Sequence, residues 1–125
     1  MKTNVNTSKA PAAIGPYSQA IVKDNFVFTS GQIHLTPDGK LLEGTIEEQT
    51  HQVMKNLAAI IEAADVSFAD VVKTTMYITN MAVYGEINEV YKGYMIQPYP
   101  ARETVAVKEL PMGANIEISM VAIKP

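Results

Sequence analysis

The chain has 125 residues, 47% of them hydrophobic and 18% charged, with a formal net charge of −3 and no cysteine. That composition belongs to a folded chain able to build a core without disulfides or metal, expected as one domain over residues 1–125. The acidic balance argues against a surface for nucleic acid or anionic lipid, and the missing cysteine excludes disulfides, thiolate zinc sites and a thiol nucleophile.

The N-terminus, Met1 to Asn6, lacks the apolar segment of a signal peptide. No apolar run approaches the ~18 residues of a membrane span. The expectation is a soluble, cytoplasmic protein that meets no membrane. Residues 2–5 read as a short edge strand. Ala10 to Pro16, with two prolines and a glycine, reads as an ordered loop leading to Tyr17. Tyr17 to Lys23 and Phe26 to Ser30 read as a hairpin about Asp24-Asn25. Ser30-Gly31 closes the second strand, and a residue without Cβ there allows close approach of a ligand or simply a bulge. Thr36-Pro37-Asp38-Gly39 is a turn.

Thr45 and Glu48 form a capping box. The helix behind it extends to about Ala64, with its apolar stripe on Ile46, Val53, Met54, Leu57, Ile60, Ile61 and Ala64. His51 borders the stripe as a surface residue, with no companions spaced for a metal. Ser67 to Asp70 is a capped turn into a strand, Val71 to Thr79. Asn80 is placed to cap a second helix with a stripe on Tyr84, Ile87, Val90, Tyr91, Tyr94 and Met95, stopped by Pro98. The tyrosines read as core and rim packing, and Asn88 beside them as a surface or capping residue.

Two alternating runs follow, carrying Arg102 and Glu117, with Leu110-Pro111-Met112-Gly113 between them as the expected turn of a hairpin. Pairing Glu109 with Ala114 puts Arg102 and Glu117 on one face, four residues or roughly 13 Å apart. That is too far for a salt bridge. Solvated faces are the common fate of such charges; the alternative is a ligand or a second subunit opposite each. The order β-β-β-α-β-α-β-β predicts an α+β fold. Two helices cover one face of a six-stranded mixed sheet, and the uncovered apolar face is most economically hidden by oligomerisation.

Four segments, A-P-A-A-I-G-P-Y-S-Q-A (Ala10 to Ala20), F-T-S-G-Q-I (Phe28 to Ile33), P-A-R (Pro100 to Arg102) and L-P-M-G-A-N-I-E-I (Leu110 to Ile118), occur in one order. In these the chain resembles the RidA/YjgF family of enamine/imine deaminases, over about residues 8 to 124. The resemblance implies a chorismate mutase-like fold and a homotrimer with a barrel-like core and sites between subunits. It implies hydrolysis of 2-imino acids and their enamine tautomers, such as 2-aminoacrylate/2-iminopropanoate and 2-iminobutanoate, to 2-oxo acids and ammonia, without a cofactor or metal. Arg102 falls on the family's carboxylate-binding position and Glu117 on its water-activating one. Tyr17, Ser30, Gly31, Ile33 and Asn88 fall on positions around the substrate. Two departures stand out. Thr104 replaces a frequent cysteine, and Glu103 stands where a small or apolar residue is usual, pointing away from the Arg102 face by alternation. The rival expectations are a non-catalytic binder of small carboxylates and, less favoured on charge and on the separated His34 and His51, an endoribonuclease.

Overall fold

A computed structural model describes all residues, 1–125. Six strands form one sheet: β1 (Thr3–Val5), β2 (Ala20–Lys23), β3 (Phe26–Thr29), β4 (Val71–Ile78), β5 (Ala101–Ala106) and β6 (Ile116–Ile123). Their order across the sheet is β1-β2-β3-β6-β4-β5. Every neighbouring pair is antiparallel except β4–β5, which is parallel. Two helices, α1 (Ile46–Ala63) and α2 (Tyr84–Tyr94), pack on one face. The predicted fold class and element order hold, including the Thr45/Glu48 capping box at the head of α1.

The expected hairpin between the last two strands does not form. β5 follows α2 as the second strand of a β4–α2–β5 unit and lies at the sheet edge, because a parallel neighbour needs a crossover of this kind. β6 instead inserts between β3 and β4. The reason lies in the side chains. Ile116, Ile118, Met120 and Ala122 are all buried on one face of β6 and fill the centre beneath the helices. The equivalent face of β5 offers Arg102 and Thr104, which suit an edge. Pro111–Gly113 forms a 3₁₀ turn in the crossing, with Met112 at φ 59°.

Other boundaries tighten. Tyr17 to Gln19 lie outside β2. Asn80 caps a 3₁₀ turn, Met81–Val83, that leads into α2. The core joins Val53, Met54, Leu57, Ile60 and Ile61 of α1, Ile87 and Tyr91 of α2, and the helix-facing residues of β3, β4 and β6. On the other face no element covers the sheet. Phe26 (44% exposed), Phe28 (46%) and Val105 (42%) stand open there, and the strand pairings put Ile21, Val121 and Ile123 on the same side. No helix is long and apolar enough to cross a membrane.

Candidate functional site

Glu117 points from β6 to the uncovered face, as its pairing with Tyr77 requires. It lines a cleft of about 440 Å³ together with Tyr17, Ser30, Gly31, Ile33 and Met112, among others. The segment after β3 makes this cleft. Gln32 is bridged to Ile118, donating to its carbonyl at 2.9 Å and accepting from its amide at 3.0 Å. This lays Gly31 directly on the Glu117 side chain. A Cβ at Gly31 would lie 2.6 Å from Glu117 Oε2. Any larger residue there would push the Glu117 side chain out of this position.

Burial raises the Glu117 carboxyl above its ordinary pKa, since a charge is poorly solvated in the cleft. No hydrogen bond or ion pair within the chain engages this carboxylate. The Ser30 hydroxyl donates to the Ser18 carbonyl, leaving its oxygen lone pairs for a ligand. Tyr17 is 55% exposed at the rim. Another wall of the cleft is held by a side chain to which no role was assigned from sequence. Gln19, buried, accepts from the Thr7 amide at 2.7 Å and donates to the Pro11 carbonyl at 2.8 Å, which fixes Pro11 and Ala12.

Arg102 lies in a second cleft, of about 360 Å³, with Asn88, Tyr91, Lys92, Tyr99 and Pro100. Its Nη1 donates to Asn88 Oδ1 at 2.8 Å and its Nη2 to the Tyr84 hydroxyl. The guanidinium sits 4.9 Å from the Tyr91 ring centroid and 5.6 Å from that of Tyr84, a cation–π arrangement. Tyr91 is itself anchored through its hydroxyl to Thr74 Oγ1 at 3.0 Å. Tyr84, Asn88 and Tyr91 are spaced four and three residues apart on α2, so one helix face holds the arginine. Of the five guanidinium N–H groups, two are taken, and the rest remain for a carboxylate. The tyrosines read from sequence as packing residues thus serve the arginine as well, and Asn88 is its hydrogen-bond partner rather than a surface residue.

Arg102 and Glu117 do not share a face. Arg102 pairs with Thr74, and Thr74 with Met120. Met120 is three residues from Glu117, an odd number, and alternation turns the two side chains to opposite sides. The same-face expectation rested on the hairpin and falls with it. Two strands across and three residues along place them roughly 14 Å apart at the backbone. Thr104 shares the Arg102 side of β5, and its buried Oγ1 has no hydrogen-bond partner. Glu103 turns the other way and pairs with Lys73 Nζ at 2.6 Å, so it does not compete for Arg102. The histidines form no acid–base pair. His34 is buried with both ring nitrogens bonded, and His51 bonds the Tyr94 hydroxyl at 2.7 Å on the surface.

With two half-clefts and these residues in place, the comparisons with known proteins define the class. The family model described as Endoribonuclease L-PSP matches residues 7–124. The chain belongs to this family, the one also called YjgF/RidA. A mouse protein named 2-iminobutanoate/2-iminopropanoate deaminase is 44% identical over 121 residues, covering 96% of this chain and 90% of that one. A crystal structure from Thermotoga maritima, described as a candidate endoribonuclease, is 51% identical with a TM-score of 0.97, covering 100% of this chain and 99% of that one. The Escherichia coli protein TdcF, solved with bound serine, is 35% identical with a TM-score of 0.93, covering 98% and 99%.

Proposed function

We propose that the chain hydrolyses 2-imino acids and their enamine tautomers, such as 2-aminoacrylate/2-iminopropanoate and 2-iminobutanoate, to 2-oxo acids and ammonia. The sites are completed between copies in a homotrimer. The observation that carries this reading is the division of labour between the two clefts. One holds an oriented guanidinium with free donors. The other holds an unpaired carboxylate of raised pKa. The pair faces opposite sides of one sheet. A single chain cannot bring both to one small molecule, whereas a neighbour presenting its β5 edge to the Glu117 cleft can. The uncovered apolar face supplies the contact surface such an assembly needs.

In the reaction, Arg102 binds the substrate carboxylate through parallel hydrogen bonds and so fixes the adjacent C=N carbon. Glu117 takes a proton from water as its oxygen adds to that carbon. The carbinolamine nitrogen then takes that proton back from Glu117, the C–N bond breaks to release ammonia, and the hydroxyl passes its own proton through Glu117 to the departing ammonia, which leaves as ammonium as the C=O of the 2-oxo acid forms. A carboxyl with a raised pKa is suited to both halves of this exchange. Thr104 Oγ1, on the Arg102 side, and Ser30 and Tyr17, beside Glu117, are placed to hold the remaining polar atoms. Asn88 orients the arginine, and Ile33 lines the cleft. The iminium is electrophile enough that no metal or organic cofactor enters the scheme. Bound serine in the TdcF relative supports the substrate class, because serine has the same carboxylate beside a nitrogen-bearing carbon.

That same serine favours a second reading, a regulator that binds small amino or oxo acids without turnover. Glu117 separates the two by its effect, since a binder would use the carboxylate to pair with a ligand ammonium and lose affinity in Glu117→Gln, whereas the deaminase loses turnover. The test generates 2-aminoacrylate in situ with a serine dehydratase and follows imine loss with a semicarbazide trap. Wild type should accelerate the loss, and Arg102→Ala and Glu117→Gln should not. Co-assembling the two dead variants decides where the site lies. Random trimers in which Arg102 and Glu117 come from different copies regain about one intact site in four. No recovery would mean that both residues act from one chain. A wild type no faster than buffer would leave the binding reading.

A further inference from the structure

His34 is the buried titratable group that the scheme above does not use. It is 1% exposed and sits in the Gly31–Leu35 segment that walls the Glu117 cleft. Its Nδ1 lies 2.8 Å from the Leu42 carbonyl, and its Nε2 accepts from the Asn115 amide at 3.0 Å. A carbonyl on one side and an N–H on the other define a neutral ring with its proton on Nδ1. The surroundings extend this order. Asn115 Nδ2 donates to Gln49 Oε1 at 3.0 Å, and Asn56 Nδ2 donates to the Ile33 and Leu35 carbonyls at 3.3 and 2.8 Å.

The walling segment has no strand of its own. Two ties hold it to β6: the Gln32–Ile118 bridge and the His34–Asn115 bond. They bracket Glu117, one residue before Ile118 and two after Asn115. Gly31 meanwhile touches the Glu117 side chain with no room for a methyl. A slip of the segment against β6 therefore moves the carboxylate.

We propose that His34, as the neutral Nδ1–H tautomer, is a positioning residue that locks the Gly31–Leu35 wall to β6 and so sets the place of the Glu117 carboxylate. Its kinetic consequence rests on the deaminase reading, and its structural one does not. The groups bonded to the ring are uncharged, the Leu42 carbonyl and the Asn115 amide. The titratable groups on neighbouring elements are Glu117 on β6, Asp38, Lys40 and Glu43 in the loop before α1, and Glu47, Glu48, His51, Lys55 and Glu62 on α1, and the Glu48 carboxylate accepts from the Thr45 amide. None of them shifts His34. Burial holds its pKa below the ordinary value. A second proton on Nε2 would face the Asn115 N–H, donor against donor, and release one of the two ties.

The test uses the full chain with two variants. His34→Gln keeps one donor and one acceptor but does not titrate. His34→Leu keeps neither. Two readouts are taken: kcat and KM in the coupled assay, and the titration of the Glu117 side-chain carboxyl by 13C NMR. His34→Leu should lower kcat about tenfold or more with KM little changed, as misplacing a catalytic group does, and should shift the Glu117 titration. His34→Gln should restore both at pH 8. Wild-type kcat in His34→Leu, or an unchanged Glu117 titration, overturns the proposal. Should His34→Leu fail to fold, His34→Gln decides alone. Wild type adds to its Glu117 limb a second loss of activity in acid, displaced below the ordinary imidazole range because burial holds the His34 pKa down, and His34→Gln should lack it. Identical acid limbs overturn the proposal. An inactive wild type would sink the deaminase reading while the NMR comparison still tests the tie.

Discussion

Gly31→Ala is the sharpest probe of the Glu117 cleft. The added methyl would lie 2.6 Å from Oε2, 2.7 Å from Cδ and 2.9 Å from Cγ of Glu117. Comfortable contact begins near 3.5 Å, so the carboxylate must retreat by roughly 0.8 Å. What moves is the end of a flexible side chain, and Gly31 itself has ordinary backbone geometry, open to alanine. Folding should not suffer. Restricting the unfolded chain adds about 0.4–1 kcal/mol of stability where alanine fits, which offsets the local crowding. Catalysis should suffer, because a displacement near 1 Å costs up to about a hundredfold in rate. The expected result is a melting temperature at or slightly above wild type, a KM close to wild type because the methyl meets only Glu117 while Arg102 holds the substrate carboxylate, and kcat lower by about ten- to a hundredfold. Calorimetry and the coupled imine assay measure these. A variant with wild-type kcat would refute the placement of Glu117 as the base. One that melts well below wild type would refute the claim that only a side chain has to move.

Glu117 carries a further consequence for stability. Its folded pKa is raised, so the folded chain holds this proton more tightly than the unfolded one. The stabilisation is full below the ordinary carboxyl value and is lost as pH rises through the raised folded value. Glu117→Gln should therefore melt higher than wild type at pH 7, with the gap closing toward pH 4; a gap independent of pH would contradict the burial argument. Tyr84→Phe removes one partner of the guanidinium, a loss of about 1 kcal/mol that should raise KM about fivefold with kcat unchanged. A fall in kcat alone would place Tyr84 in the chemistry instead. Glu103→Gln breaks an exposed pair with Lys73 and should leave KM unchanged. A lower KM would show that Glu103 draws on Arg102 after all.

Much of this was legible in the sequence because the local signals agreed. The capping box at Thr45 and Glu48, the stripe through Met54 and Ile61, and the alternation from Ile116 to Ala122 each specify one element. The order of strands was not legible. Two alternating runs joined by a Pro-Met-Gly turn look like a hairpin, and only the competition for the sheet centre sends β6 past β4. The relation between Arg102 and Glu117 failed with it, since their shared face depended on that pairing. Tyr84, Asn88 and Tyr91 were visible as a helix face. Their role was hidden because it depends on an arginine delivered by another element. Gln19 lay inside the Ala10–Ala20 segment without a visible role, and His34 showed no pattern. Each acts through hydrogen bonds to distant backbone, which no spacing in sequence encodes.

The position of β6 bears on how the site comes into being. It is the last of the six strands along the chain, yet it joins the β1-β2-β3 ribbon to the β4-β5 pair. Until it docks, those two pieces have no common edge. The two pairings that close the sheet, β3–β6 and β4–β6, therefore wait for contacts far apart in sequence, the kind that form slowly. The strand that closes the sheet also bears Glu117. The Arg102 cradle belongs to the β4-α2-β5 unit alone, whereas the Glu117 cleft exists only once β6 has docked against the Gly31–Leu35 segment, so the base is the last part of the site to be assembled.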